Sequence, residues 1–162
     1  MPHSSDDEQP FSFFHVHANH LNFKVATAGS GDRLIMLLHG FPEFSLSWRH
    51  QMAPLAQAGY RVWAPDLRGY GGTARPDGLA AYRLELLLED VAALIQASHS
   101  SRVILVGHDW GGIIAWYYAM HRPEKIESLI VLNAPHPACF EREIRHWRQL
   151  RRNGSGTDLA WR

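Results

Sequence analysis

The residue with the most direct chemical potential is Asp109, at the centre of RVILVGHDWGG. Gly107 and Gly111 flank it in the pattern small–x–Asp–x–small. The apolar run before it reads as a strand, and the residues after it read as a helix. A chain turning that sharply crowds its own backbone, so the flanking positions must be small. The central side chain is pushed out at the carboxyl end of the sheet. There the unpaired N–H groups of the helix start favour an anion. A carboxylate in that place can attack an electrophilic carbon and form an ester. The alternative reading is an Asp that only caps the helix.

Other polar residues invite chemistry less directly. Asp66 and Arg68, in PDLRGYG, read as a network fixing the loop after a strand. His39 ends an apolar run. His108 lies inside the turn, and its side chain is expected to point away from the mouth of the nucleophile. His136, in NAPHP, is expected to order its loop as a hydrogen-bond donor. Glu43 and Trp48 are expected to shape the entrance and anchor the following helix. The eleven histidines are scattered. One cysteine, Cys139, excludes an intrachain disulfide and a Cys-rich metal site. No metal or organic cofactor is implied. No G-x-G-x-x-G follows a first strand and no P-loop Lys–Ser/Thr pair occurs, which argues against nucleotide binding.

The elements that must position Asp109 follow from periodicity. Phe11–Ala18 and Leu21–Ala26 alternate as a hairpin about Asn19-His20. Arg33–Leu38, Tyr60–Ala64 and Arg102–Val106 are short continuous apolar runs, the pattern of strands covered on both faces. Ser47 is placed to cap a helix over Trp48–Ala58, which Gly59 ends. Tyr82–Ala97 is predicted as a helix, as is the stretch from the Asp109 turn to about His121. Ile126–Leu132 is the last strand, and a helix runs from Ala138 to about Leu150. Strands alternating with helices after an initial hairpin give an α/β layer pattern with a mostly parallel sheet. Ile126–Leu132 is apolar on both faces with no strand after it, an edge proteins normally avoid. Self-association through that edge is expected.

Composition narrows the class. The chain has 162 residues, 16 Lys plus Arg against 16 Asp plus Glu, 46% hydrophobic and 20% charged residues. That excludes a disordered acidic tail and a basic nucleic-acid arm. No field toward nucleic acid or an anionic membrane is implied. The start, MPHSSDDEQP, lacks the basic and apolar regions of a signal peptide, and no apolar run approaches the ~18 residues of a spanning helix. A cytoplasmic setting is expected.

Four blocks, in order, carry a resemblance: HGFPEFSLSWRHQ at 39–51, APDLRGYGGTARP at 64–76, VGHDWGG at 106–112 and LNAPHP at 132–137. Together they resemble the amino-terminal half of an α/β-hydrolase of the epoxide-hydrolase branch, over roughly residues 11–150. The resemblance implies a three-layer α/β-hydrolase fold, here truncated after about the sixth strand. It divides the chain into a flexible segment at 1–10, a partial core at 11–137, the start of a cap at 138–152 and a divergent irregular tail at 153–162. The divergent tail reads as a truncated gene, a frameshift or a fragment.

By the same resemblance, Asp109 is the nucleophile that opens an epoxide to an ester, which water converts to a vicinal diol. The backbone N–H groups of Phe41 and Trp110 form the oxyanion hole. Phe41, Pro42, Trp110 and, more weakly, His108 border the substrate pocket, and Pro42 resembles the cis proline of the HGFP turn. His39, Gly40, Asp66, Arg68, Gly107, Gly111 and His136 are structural. The implied partners are a small epoxide and water. The family's water-activating histidine, its orienting acid and two cap tyrosines normally lie beyond the matched region. Asn133 stands where some relatives carry the acid. Turnover by this chain alone is therefore not expected. A haloalkane or haloacid dehalogenase, in which the residue at Trp110 would hold the halide, and a non-catalytic fragment are the competing readings.

Overall fold

The computed structural model describes residues 10–152; the expected lead-in at 1–9 and tail at 153–162 lie outside the described residues. Among the described residues, six strands form one sheet. They are β1 (Ser12–Ala18), β2 (Leu21–Ala28), β3 (Leu34–Leu38), β4 (Arg61–Pro65), β5 (Val103–His108) and β6 (Ile126–Leu132). Four α-helices accompany them: α1 (Arg49–Gln57), α2 (Leu84–Ala97), α3 (Trp110–His121) and α4 (Pro137–Arg152). The spatial order is β1-β2-β4-β3-β5-β6. β1–β2 and β2–β4 pair antiparallel, and the remaining three junctions are parallel. This is the three-layer, mostly parallel architecture with an antiparallel amino-terminal hairpin that the sequence predicts.

The continuous apolar runs have a direct cause. Leu34, Met36 and Leu38 of β3 face a core closed by Val91, Leu94 and Ile95 of α2 and Ile114, Ala115 and Tyr118 of α3. Ile35 and Leu37 face the opposite core, with Met52 of α1 and Trp48. Both faces of the strand are covered, so no polar alternation is possible. In the hairpin, Asn19 and His20 sit at φ 43° and 59°, a two-residue turn in the left-handed backbone region whose twist matches the right-handed twist of the flanking strands.

Several boundaries differ from the sequence expectation. β2 continues to Ala28 because Thr27 and Ala28 pair with Trp63 and Val62 of β4. Ser47 caps nothing: Ser45–Trp48 forms a 3₁₀ turn, and α1 begins at Arg49 with no side-chain cap. The Ser45 N–H donates instead to Asp66 Oδ1 at 2.8 Å, which draws this turn onto the β4 loop. Leu79–Tyr82 is a second 3₁₀ turn, and extended Arg83 separates it from α2.

β6 lies at the edge of the sheet. Leu129 packs on the α2–α3 side, whereas Ile130 and Leu132 are 48% and 43% exposed. No helix of the described residues is long and apolar enough to cross a membrane.

Candidate active site

The parallel β3–β5 ladder sets Leu38 opposite Gly107. The loops that follow these strands therefore emerge side by side. At Asp109 the backbone takes φ 52° and ψ −118°, a region costly for a side-chain-bearing residue and used where structure over-determines it. Three contacts hold it. Its N–H donates to Leu132 O at 3.1 Å, its carbonyl accepts from Ile113 N–H at 3.0 Å, and Gly111 packs on the Leu38 carbonyl so closely that a Cβ would collide. Gly107 meets Gly111 in the same way. A Cβ on Gly40 would lie 2.6 Å from Asp109 Cβ, so this glycine makes the space the Asp109 side chain occupies.

The Phe41 backbone N–H donates to Asp109 Oδ1 at 2.9 Å. That bond, then the Trp110 N–H, holds the Asp109 carboxyl below its ordinary range, and the nearby His108 acts in the same direction. The Phe41–Pro42 peptide is cis. Phe41 and Trp110 are 64% and 55% exposed.

Asp109 opens into a cavity of about 340 Å³. Trp110, Ile113 and Tyr117 of α3 form one wall, Asn133–Pro135 a second, and Pro137 and Phe140 of α4 a third, with Glu141 at the edge. Of the residues expected at the pocket, Trp110 lines it; Phe41, Pro42 and His108 do not. Phe41 is turned outward, and only its amide addresses Asp109. Ile113 and Tyr117 were legible in principle. They follow Asp109 at i+4 and i+8 and so share one face of the helix.

His39 is fully buried. Its Nε2 accepts from Leu67 N–H at 2.9 Å, so its Nδ1–H donates to Gly40 O, also at 2.9 Å. Burial holds its pKa below the ordinary value. It is a neutral strut with no free nitrogen for a base.

Asp66 and Arg68 anchor different partners. Asp66 accepts from Ser45 N–H and from Gly72 N–H, both at 2.8 Å. Arg68 forms a two-pronged buried pair with Asp90 of α2 at 2.7 and 2.6 Å, and Asn19 also donates to Asp90. Asp90 is the partner that sequence reading missed. His136 accepts rather than donates: its Nδ1 takes the Ala138 N–H at 3.2 Å. Its carbonyl takes the N–H groups of Cys139 and Phe140 at the start of α4, and its ring meets Trp116 edge-on at 4.7 Å.

The His108 ring sits between two side chains. Its Nδ1 is 3.4 Å from Glu43 Oε2, and its Nε2 is 3.4 Å from Asn133 Nδ2. Among the described residues, no histidine ring bonds to the Asp109 carboxylate, and no cluster of three His, Cys, Asp or Glu could hold a metal.

Comparison with known proteins places this geometry. The family model described as the alpha/beta hydrolase fold matches residues 33–156. An AB hydrolase superfamily protein of Bacillus subtilis, YfhM, is 49% identical over 123 residues, 75% of this chain and 43% of the relative. Epoxide hydrolase 4 of Mus musculus is 47% identical over 135 residues, 82% of this chain and 37% of the relative. The crystal structure of an epoxide hydrolase from Vigna radiata superposes with a TM-score of 0.77 at 42% identity, covering 80% of this chain and 42% of that one. The chain thus spans about two-fifths of the length of the relatives it matches. With a strand–Asp–helix turn facing an amide from the neighbouring strand, and with these relatives, the chain belongs to the alpha/beta hydrolase fold family, on its epoxide-hydrolase branch.

Proposed function

We propose that Asp109 is a nucleophile toward epoxides. The observation that carries this reading is the 2.9 Å bond from the Phe41 amide to Asp109 Oδ1. With Oδ1 held, Oδ2 is the attacking atom. It bonds to a ring carbon, the carbon–oxygen bond of the epoxide breaks, and the departing alkoxide takes a proton from water, leaving hydroxide to the solvent. Oδ1 then becomes the carbonyl oxygen of the ester, already against the Phe41 amide, with the Trp110 amide also bonded to this carboxyl. When water adds to that ester, negative charge builds on Oδ1, where those two donors stabilise it. Collapse releases a vicinal diol and restores Asp109. The mostly apolar cavity suits an epoxide with an apolar body.

Among the described residues no histidine is bonded in place to activate that water, so the ester accumulates on this chain. Residues 138–152 are read as the first helix of a cap, and the open edge of β6 as a surface for self-association. Intact-protein mass spectrometry after incubation with a small reactive epoxide tests the reading. One adduct on Asp109, absent in Asp109→Asn, supports it; no adduct on a folded chain leaves a non-catalytic fragment. A halide leaving group is the second reading, because the Trp110 ring lines the cavity. Halide release from a haloalkane in place of an epoxide adduct selects it.

A further inference from the structure

Two loops flank Asp109. Gly40–Phe44 follows β3 and carries the Phe41 amide, while Asn133–Pro135 follows β6 and forms part of the cavity wall. One side chain, His108 at the end of β5, reaches both. Its Nδ1 lies 3.4 Å from Glu43 Oε2 and its Nε2 lies 3.4 Å from Asn133 Nδ2. A neutral imidazole between a carboxylate and an amide N–H has a defined tautomer: Nδ1–H faces the carboxylate, and the Nε2 lone pair faces the amide. Each end of this row is tied to the backbone that shapes the site. The Glu43 N–H donates to Gly40 O at 3.1 Å and closes the turn around Phe41 and Pro42. Asn133 sits at φ 53°, a left-handed position that Asn tolerates better than most residues. It directly follows Leu132, whose carbonyl holds the Asp109 N–H.

We propose that Glu43, His108 and Asn133 form a clasp that fixes the Phe41 amide against Asp109 from both neighbouring strands. They are positioning residues: none of the three side chains bonds to the Asp109 carboxylate. Their catalytic consequence rests on the nucleophile reading above, but the clasp itself is measurable without any substrate. The rival account is a half-exposed surface pair of little energetic weight.

Site-resolved amide hydrogen exchange at neutral pH tests the proposal on the whole chain. In Glu43→Ala and His108→Ala, exchange at the Phe41 N–H accelerates about tenfold, while amides of β3 and β5 keep their wild-type protection, as local opening requires. In His108→Gln, which keeps one donor and one acceptor, Phe41 stays at its wild-type rate. A Phe41 amide unchanged in the two alanine variants overturns the clasp. So does acceleration shared equally by the β3 and β5 amides, or an equal loss in His108→Gln. Adduct formation on Asp109 is followed in parallel and slows about tenfold in the alanine variants. If wild type forms no adduct, the nucleophile reading fails while the exchange data still decide the clasp.

Discussion

The amide of Phe41 and the carboxylate of Asp109 meet at 2.9 Å across 68 positions of sequence. A bare carboxylate oxygen thus already lies where an ester carbonyl oxygen would need its donor. Such donors cost no reorganisation when charge develops, because the backbone fixes them beforehand. The same bond is the first cause of the lowered Asp109 pKa.

Asp109 should therefore remain ionised throughout the mildly acidic range. Its depressed folded pKa also stabilises the fold above the ordinary carboxylate range, a contribution lost as pH falls through the folded value. The rate of adduct formation is expected to stay flat from pH 7 to pH 5 and to vanish in Asp109→Asn. Asn has the same size and shape as Asp and adds no branch at Cβ, so that variant is expected to fold. Asp109→Val, β-branched at φ 52°, should lose about 1–3 kcal/mol of stability in denaturant melts.

Gly40→Ala places a Cβ 2.6 Å from Asp109 Cβ. The elbow is rigid backbone and cannot yield cheaply. Adduct formation is expected to fall at least about tenfold, with a stability loss of about 1–3 kcal/mol. Wild-type labelling in this variant would show that the two loops separate freely.

Removing Asp90 leaves the Arg68 guanidinium buried without its partner. Asp90→Ala should cost about 3–5 kcal/mol, against a total of about 5–15 kcal/mol for an ordinary domain. Urea titration checks this. A loss under about 1 kcal/mol would assign the pair the small weight of an exposed one.

His39 is held below its ordinary value of 6.5, first by burial. Below that pH the unfolded chain binds a proton that the folded chain resists. Stability is complete above the unfolded value and is lost as pH falls toward the folded one, by at most about 1.4 kcal/mol per pH unit. Denaturant midpoints between pH 7 and pH 5 should show this slope, and His39→Gln should flatten it. Equal slopes in both proteins would assign the pH dependence to another group.

Ile130 and Leu132 stand exposed on the edge strand. Sedimentation velocity is expected to show concentration-dependent association, and Ile130→Lys to reduce it, as charges on an edge oppose pairing. A wild-type monomer at all concentrations would contradict the edge as an association surface.

The amino-acid sequence shows what local pattern encodes. All six strands and the strand–Asp–helix turn follow from apolar runs and glycine spacing. The site partners of Asp109 were named from a resemblance, because nothing local links Phe41 to a residue so distant in sequence. Ser47 looked like a cap, but the Asp66 carboxylate takes the Ser45 amide and tightens that turn. Asp66 and Arg68 read together as one loop-fixing network, whereas the partner of Arg68 is Asp90, which the docking of α2 supplies. The Glu43–His108–Asn133 row joins three separate loops and strands and has no spacing signature.

The pairing of Leu38 with Gly107 acts as the gauge of the whole centre. A strand advances about 3.3 Å per residue, so a slip of β5 by a single step would carry Asp109 farther than any hydrogen bond can stretch. It would also exchange the two faces of the strand, driving residues from one core into the other. The alignment of donor and carboxylate is therefore enforced by the entire hydrophobic interior, and a drift toward misalignment cannot occur by small degrees.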